Sequence, residues 1–351
     1  MTSPESKTMR IIDANLNRIG EGLRLLEDLA RLILNDATLS QQLKTMRHGI
    51  LEKDWPFNQQ LLQARDSEGD VGINIEAPEG EKRELTTMVV ANSRRVQESL
   101  RTIEELAKLP DVKLDPDKFK QARFDLYTIE QNLLSRLLRQ DKVKRLPGLY
   151  VIIDTPALKG RSHVEVASQA IRGGAKVVQL RDKIQSKKEL LPIAKQLKKL
   201  CAEHDVLFIM NDHFDLALAV DADGLHLGQD DLPVKAARKL LPIDKILGRS
   251  ARTVDQAVAA ESEGADYIAV GSMYPTPTKE TAQVVGPERL RQIRQTVTLP
   301  LVAIGGINKD NAAEVMAAGA DSLAVIRAVV QAEAPEEAAR QLVDIVEVQS
   351  K

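Results

Sequence analysis

Three polar side chains alternate in the run VVQLRDK: Gln179, Arg181 and Lys183. If this run is a strand, Gln179 and Arg181 face the same way. An amide with two cations suits a phosphorylated polar ring, because Arg forks onto phosphate, Lys adds a point charge and Gln reads ring nitrogens. Arg181 could equally make a surface ion pair with Asp182. The run FIMNDHFD then supplies Asn211 and Asp212, and GLHLGQDD supplies Asp230 and Asp231. Carboxylates on neighbouring strand ends can share Mg²⁺, which needs only one or two of them plus substrate phosphate. Asp after a strand also caps helices, so Asp212 and Asp231 carry that second reading. His226 lies within a strand pattern and reads as a buried, satisfied histidine, whereas His213 suits a supporting role beside Asp212. No His–Cys cluster suggests zinc.

Further along, ILGRSART offers Ser250, which could hold phosphate or cap a helix starting near Thr253. The run AVGSMYPTPTKET carries Thr276, Thr278 and Lys279. Two hydroxyls and an ammonium in a Pro-stiffened loop resemble an anion clamp, although Pro275 and Pro277 would also mark a plain turn. In AIGGIN, Gly305 and Gly306 allow a backbone to approach a phosphate closely. AVIRAV places Ile326 and Arg327 at the end of the last apolar run.

What must position these residues is a series of short apolar runs separated by helical patterns. The texture begins at Leu146-Pro147-Gly148. Strands are predicted at Leu149–Ile153, Lys176–Leu180, Val206–Met210, Gly224–Leu227, Lys245–Gly248, Tyr267–Val270, Leu301–Ile304 and Ser322–Ile326. Helical segments such as 186–203, 253–263, 309–318 and 335–347 follow them. Continuous apolar strands alternating with helices imply a parallel sheet. Eight such units suit a closed (β/α)₈ TIM barrel, in which function sits at the C-terminal ends of the strands. An open doubly wound sheet is the alternative, but no G-x-G-x-x-G follows the first strand.

The first 140 residues read as mainly helical. Segment 9–35 places Ile12, Leu16, Ile19, Leu23, Leu26 and Ala30 at helical spacing, and 115–141 is a second long amphipathic stretch. The polar run at 66–84 reads as a loop. Two copies of one pattern stand in this half, ANLNRIGEGLRLLEDLARL from Ala14 and ANSRRVQESLRTIEELAKL from Ala91. Asn15 matches Asn92, Arg18 matches Arg95, Glu21 matches Glu98, Arg24 matches Arg101 and Glu27 matches Glu104. The polar matches fit either paired structural helices or a duplicated anion-binding element. The expected domains are therefore 1–140 and 146–351.

Bulk composition narrows the class. A formal net charge of −2 and 3% aromatic residues argue against nucleic acid as a partner. The single cysteine, Cys201, excludes an internal disulfide and fits a reducing compartment. No apolar run nears the roughly 18 residues of a membrane span, and the opening MTSPESKTMR lacks the apolar core of a signal peptide. A cytoplasmic protein with small-molecule substrates is expected, with homo-oligomerisation left open.

Taken in order, LYVIID, VQLRDK, MNDHFDLA, DGLHLGQDD, ILGRSART, GSMYPTPTKE and VAIGGI resemble the thiamine-phosphate synthase family over essentially all of 146–330. The resemblance implies an enzyme that joins an aminopyrimidine diphosphate to a thiazole phosphate, releasing pyrophosphate by a dissociative route through a pyrimidine cation. It implies pyrimidine diphosphate contacts from Gln179, Arg181, Lys183, Asn211, Ser250 and Lys279. Asp212 and Asp231 would hold Mg²⁺. Thr276, Thr278, Gly306 and the backbone at Ile326 and Arg327 would hold thiazole phosphate. Arg181, Lys183 and Lys279 would stabilise the departing charge. Many relatives carry Ser where this chain has Arg327, which puts that side chain's role in doubt. Two rivals are a thiazole tautomerase-like barrel and a non-catalytic precursor sensor. The repeats of the first half resemble a small family of hydroxymethylpyrimidine-phosphate kinases, which implies ATP there. There is no G-x-x-x-x-G-K-[ST] loop for it, and a helical oligomerisation or docking module is the alternative.

Overall fold

The computed structural model describes residues 4–51, 61, 84–276 and 283–349. The chain divides into two compact units, Met1–Leu138 and Arg139–Lys351. The polar run expected as a loop at 66–84 lies almost wholly outside the described residues.

In the first unit the described residues are mainly helical. Helix α1 spans Pro4–Asp28 and passes into a π-helical turn at Leu29–Ile33. Helices α2 (Ala37–Ile50), α3 (Leu85–Leu106) and α4 (Pro116–Lys144) follow. The helical stripe predicted on α1 is the buried face, from Ile12 to Ala30. α1 and α3, which carry the two repeat copies, pack against each other.

The repeated polar residues mostly do structural work. Asn15 Nδ2 donates to the Ile11 carbonyl at 2.8 Å, and Asn92 Nδ2 donates to that of Met88 at 2.9 Å. Each thus serves its own helix. Glu27 is buried and accepts from Arg47 Nε and Nη2 of α2 at 3.0 and 2.9 Å. Glu104 is buried and accepts from Arg123 Nη2 of α4 at 3.0 Å. Arg24 and Arg101 pair with the same two glutamates at 3.7 and 2.8 Å. A buried carboxylate must be paired to be tolerated, and each copy solves this with an arginine from the next helix. Of the matched set, Arg18, Glu21, Arg95 and Glu98 are exposed and, unlike the equally exposed Arg24 and Arg101, are not in these Arg–Glu pairs.

The second unit is a closed, all-parallel barrel of eight strands in sequence order. They are β1 Gly148–Asp154, β2 Val177–Arg181, β3 Leu207–Asn211 and β4 Gly224–Leu227. β5 Ile246–Ala251, β6 Tyr267–Gly271, β7 Leu301–Ile304 and β8 Ser322–Val325 complete it. All eight predicted strands are present, within a few residues at their ends. The expected helices appear as Lys187–Glu203, Val254–Ser262, Ala312–Ala317 and Pro335–Gln349.

Alternation sorts the strand residues into two cores. Tyr150, Ile152, Val177, Leu207, Ile209, Ile246, Tyr267, Val302 and Ala324 fill the barrel interior. Their neighbours, such as Val151, Val178, Phe208 and Leu247, pack against the helices. Gly248 is required by this packing, since a Cβ there would overlap the Tyr267 ring.

At the opposite end from the site, one device recurs. Asp223, Asp266 and Asp321 stand just before β4, β6 and β8. Each accepts a backbone N–H from the preceding strand: Phe208 at 2.9 Å, Leu247 at 2.8 Å and Leu301 at 2.7 Å. Each also takes a cation, Lys198, Arg238 and Arg294 respectively. Asp266 additionally accepts from buried Arg139 at 2.8 Å. We expect Asp266→Ala to cost about 3–5 kcal/mol of barrel stability, because it strands two poorly exposed guanidinium groups. Urea unfolding followed by circular dichroism measures this.

Candidate active site

The inward positions at the C-terminal ends of the strands are polar. On β2 the inward series runs Val177, Gln179, Arg181. On β3 it runs Leu207, Ile209, Asn211, and on β4 it reaches His226. These residues line a cavity of about 600 Å³ that opens at the strand ends. Gln179, Arg181, Lys183, Asn211, Asp212 and Asp231 all border it. Ser250, Thr276, Gly306, Ile326 and Arg327 border it too. Thr278 and Lys279 lie outside the described residues.

Arg181 does not pair with Asp182, the surface partner that was one reading of the sequence. It forms a close ion pair with buried Asp154, its direct neighbour in the β1–β2 register. The Asp182 carboxylate instead accepts the backbone N–H groups of Ile184 and Gln185, at 2.6 and 2.8 Å, and shapes the loop after β2. That loop carries Lys183, whose Nζ lies 3.1 Å from Asp212 Oδ2.

Asp212 directly follows β3 with φ of +58°, a conformation that Asp tolerates better than most side chains. Its backbone N–H donates to the His226 carbonyl at 2.9 Å, which ties the turn to β4. Neither acid caps the next helix. The following helices, Phe214–Ala219 and Val234–Leu240, have no side-chain cap bond. Asp231 Oδ2 reaches back to the Gly228 N–H at 2.7 Å. Burial raises the Asp231 carboxyl above its ordinary range, and the Asp212 carboxylate against it raises it further. Two acids facing each other in one recess are a donor set suited to a divalent cation. Among the described residues no group of three or more His, Cys, Asp or Glu could hold a metal. Such an ion would take its other ligands from water or substrate oxygens.

Ser250 does not cap the helix that starts near it, because Thr253 does so through the Gln256 N–H at 3.2 Å. Its Oγ lies 3.0 Å from His226 Nε2. His226 is buried as expected, and burial lowers its pKa to about 4. On the far side of the mouth, Gly305 and Gly306 have φ of +102° and +68°. A Cβ at Gly306 would come within 2.7 Å of Tyr274 Cβ. Arg327 donates to Gln331 Oε1 at 2.8 Å, and both residues border the cavity. The Arg327 backbone, which opens the helix Arg327–Val330, remains at the cavity.

Sequence reasoning missed Asp154, Tyr150 and Tyr267. The signal was present in LYVIID, where Tyr150, Ile152 and Asp154 alternate as Gln179 and Arg181 do. Only the register of β1 against β2 shows that Asp154 meets Arg181.

Both parts of the chain are similar to known proteins. Residues 149–329 match the family model described as thiamine monophosphate synthase, and residues 10–132 match the ThiD2 family. A thiamine-phosphate synthase of Synechocystis sp. is 41% identical over 95% of this chain and 94% of its own length. A thiamine-phosphate synthase of Methanospirillum hungatei is 51% identical over 56% of this chain and 97% of its own length. The solved thiamine phosphate pyrophosphorylase of Pyrococcus furiosus is 43% identical, with a TM-score of 0.56, covering 60% of this chain and all of that one.

The paired acids give a sign-defined test. A carboxyl held above its ordinary pKa favours the fold only at low pH, and that contribution is lost as pH rises through the raised value. Without metal, Asp231→Asn is therefore expected to melt above the parent protein at about pH 7, and the gain is expected to vanish at about pH 3. Added Mg²⁺ should raise the melting temperature of the parent and not of the variant. Thermal melts at both pH values check this.

Proposed function

Because the chain belongs to the thiamine monophosphate synthase family, we propose that its barrel joins an aminopyrimidine methyl diphosphate to a thiazole phosphate, giving thiamine phosphate and pyrophosphate. The observation that carries the proposal is the Lys183–Asp212–Asp231 cluster beside Arg181. A tautomerase-like barrel or a precursor sensor would need phosphate loops but not this set of acids and bases.

The bond that breaks joins the pyrimidine methylene to a diphosphate oxygen, and the electron pair leaves with that oxygen. The bond that forms joins the methylene to the thiazole nitrogen, whose free lone pair is the nucleophile. No proton leaves the nucleophile, so no general base is needed. This accounts for the cluster's composition, in which cations and acids gather without a nucleophile–base pair. Arg181 and Lys183 would draw off the charge that grows on the leaving group, and Lys279 is assigned the same role. Asp154 holds the Arg181 guanidinium in orientation. Asp212 and Asp231 would hold Mg²⁺, which supplies further charge neutralisation on the diphosphate. Gln179, Asn211 and Ser250 would hold the pyrimidine ring. Thr276, Thr278, Gly306 and the backbone at Ile326 and Arg327 would hold the thiazole phosphate. The Arg327 side chain is engaged by Gln331, and a Ser there would serve the same backbone contact.

For the first unit, the match of residues 10–132 to the ThiD2 family supports the kinase reading. We propose that it uses ATP to make the diphosphate that the barrel consumes. The Arg–Glu pairs of the repeat belong to its packing, which leaves exposed Arg18 and Arg95 as candidate phosphate contacts.

Two measurements test these assignments. Thiamine phosphate formation from both phosphorylated precursors should fall about a hundredfold or more in Asp212→Ala. Lys183→Ala should raise KM for the pyrimidine diphosphate more than KM for thiazole phosphate. Separately, full-length Asp212→Ala supplied with pyrimidine monophosphate and ATP should still form the diphosphate. A loss of that step together with synthesis would remove the division of labour.

A further inference from the structure

Five side chains inside the barrel form a single hydrogen-bonded chain. Gln179 Nε2 of β2 donates to the Tyr150 hydroxyl of β1 at 2.8 Å. Tyr150 and Tyr267 of β6 are joined hydroxyl to hydroxyl at 3.0 Å. Tyr267 Oη lies 3.1 Å from His226 Nδ1 of β4, and His226 Nε2 lies 3.0 Å from Ser250 Oγ of β5. Gln179, Tyr150, Tyr267 and His226 are buried. All five border the cavity, with Gln179 and Ser250 at the two ends of the chain.

Such a chain has a direction. Each phenol has one proton to give, and a neutral imidazole has one N–H and one lone pair. His226 Nδ1 and Nε2 each face a hydroxyl, so a ring with one N–H and one lone pair fits both partners. With every proton in the chain paired and the Gln179 amide nitrogen donating to Tyr150, Tyr150 gives its proton to Tyr267 and Tyr267 gives its own to His226 Nδ1. The ring then carries its proton on Nε2 and donates it to Ser250 Oγ. The Ser250 hydroxyl proton is left for the cavity, and so is the Gln179 carbonyl oxygen. Reversing every bond would reverse both ends together, exposing the Gln179 amide N–H and a Ser250 lone pair. As long as every buried proton stays paired, the two ends change together.

We propose that Tyr150, Tyr267 and His226 are positioning residues which fix this direction and so make the barrel select an amino-substituted over an oxo-substituted pyrimidine. The inference rests on the synthase reading above. An aminopyrimidine offers N–H to the Gln179 oxygen and a ring lone pair to the Ser250 proton. An oxo analogue sets a carbonyl against the Gln179 oxygen and leaves desolvated polar groups unpaired, a mismatch to which buried sites are highly sensitive. The relay is held rigidly. The His226 and Tyr267 rings stack with centroids 5.6 Å apart, and Gly248 alone makes room for the Tyr267 ring.

Two readouts test it in the full-length protein. In steady-state assays the ratio of kcat/KM for the amino and oxo pyrimidine diphosphates is expected to fall at least tenfold in Tyr267→Phe and Tyr150→Phe, with KM for thiazole phosphate unchanged. A role confined to packing would leave that ratio where it was. In ¹⁵N-histidine spectra of the parent protein, the His226 signal, assigned by its loss in His226→Asn, is expected to show Nε2–H and a bare Nδ1. An Nδ1–H tautomer, or an unchanged ratio in a folded Phe variant, overturns the proposal. If the parent makes no thiamine phosphate, the synthase reading fails instead, and the tautomer still reports on the relay.

Discussion

Closure of the sheet is the constraint on which the rest of the barrel depends. A closed parallel sheet has no edge, so every strand residue faces either the helices or the interior. The interior is filled by Tyr150, Ile152, Ile209, Ile246 and Tyr267 and leaves no room for free charge. Inward-facing charge therefore stands at the strand ends, as with Arg181, while polar groups deeper inside, such as Gln179, Tyr150, Tyr267 and His226, pair with one another. The acids and cations that follow in the loops, Lys183, Asp212 and Asp231, extend the same rim. The other end of the barrel uses its charges for stability, in Asp223, Asp266 and Asp321.

This constraint also explains what the sequence made legible. Eight apolar runs with intervening helical patterns define the barrel, because burial on both faces leaves no other composition for such strands. The rim residues could be read because each lies at a strand's end. What could not be read were relations that depend on register. Arg181 has an adjacent Asp182 in sequence, but the parallel pairing of β1 and β2 delivers Asp154 instead. The relay is spread over residues 150, 179, 226, 250 and 267, which no local motif connects. His226 was expected to be buried and satisfied, and it is. Its partners, however, make it a link between two ends of the cavity.

The repeat in the first unit teaches the same lesson in reverse. Matching Asn, Arg and Glu residues could have marked two copies of a binding site. The fold assigns most of them to paired helices, since Glu27 and Glu104 each need a cation when buried and receive Arg47 and Arg123. The pattern within each copy gave no hint of these partners, which lie on the following helices.

The rim is not a bare cationic surface. Arg181 is neutralised by Asp154, and Lys183 by Asp212. A rim of unpaired cations would bind any polyphosphate, and its charges would repel each other in a confined space. Compensated pairs avoid that self-repulsion. They also bias selection, because a ligand must offer enough negative charge, placed correctly, to compete with a carboxylate already in contact. A diphosphate carried with a divalent cation meets this condition at both partners of the Lys183–Asp212 pair. Its anionic oxygens suit the ammonium, and the cation suits the acid. A lone phosphate satisfies the ammonium but leaves Asp212 and Asp231 facing each other uncompensated. On the proposed reading, the arrangement would favour a metal-bound diphosphate over simpler anions through the same electrostatics that pair Lys183 with Asp212.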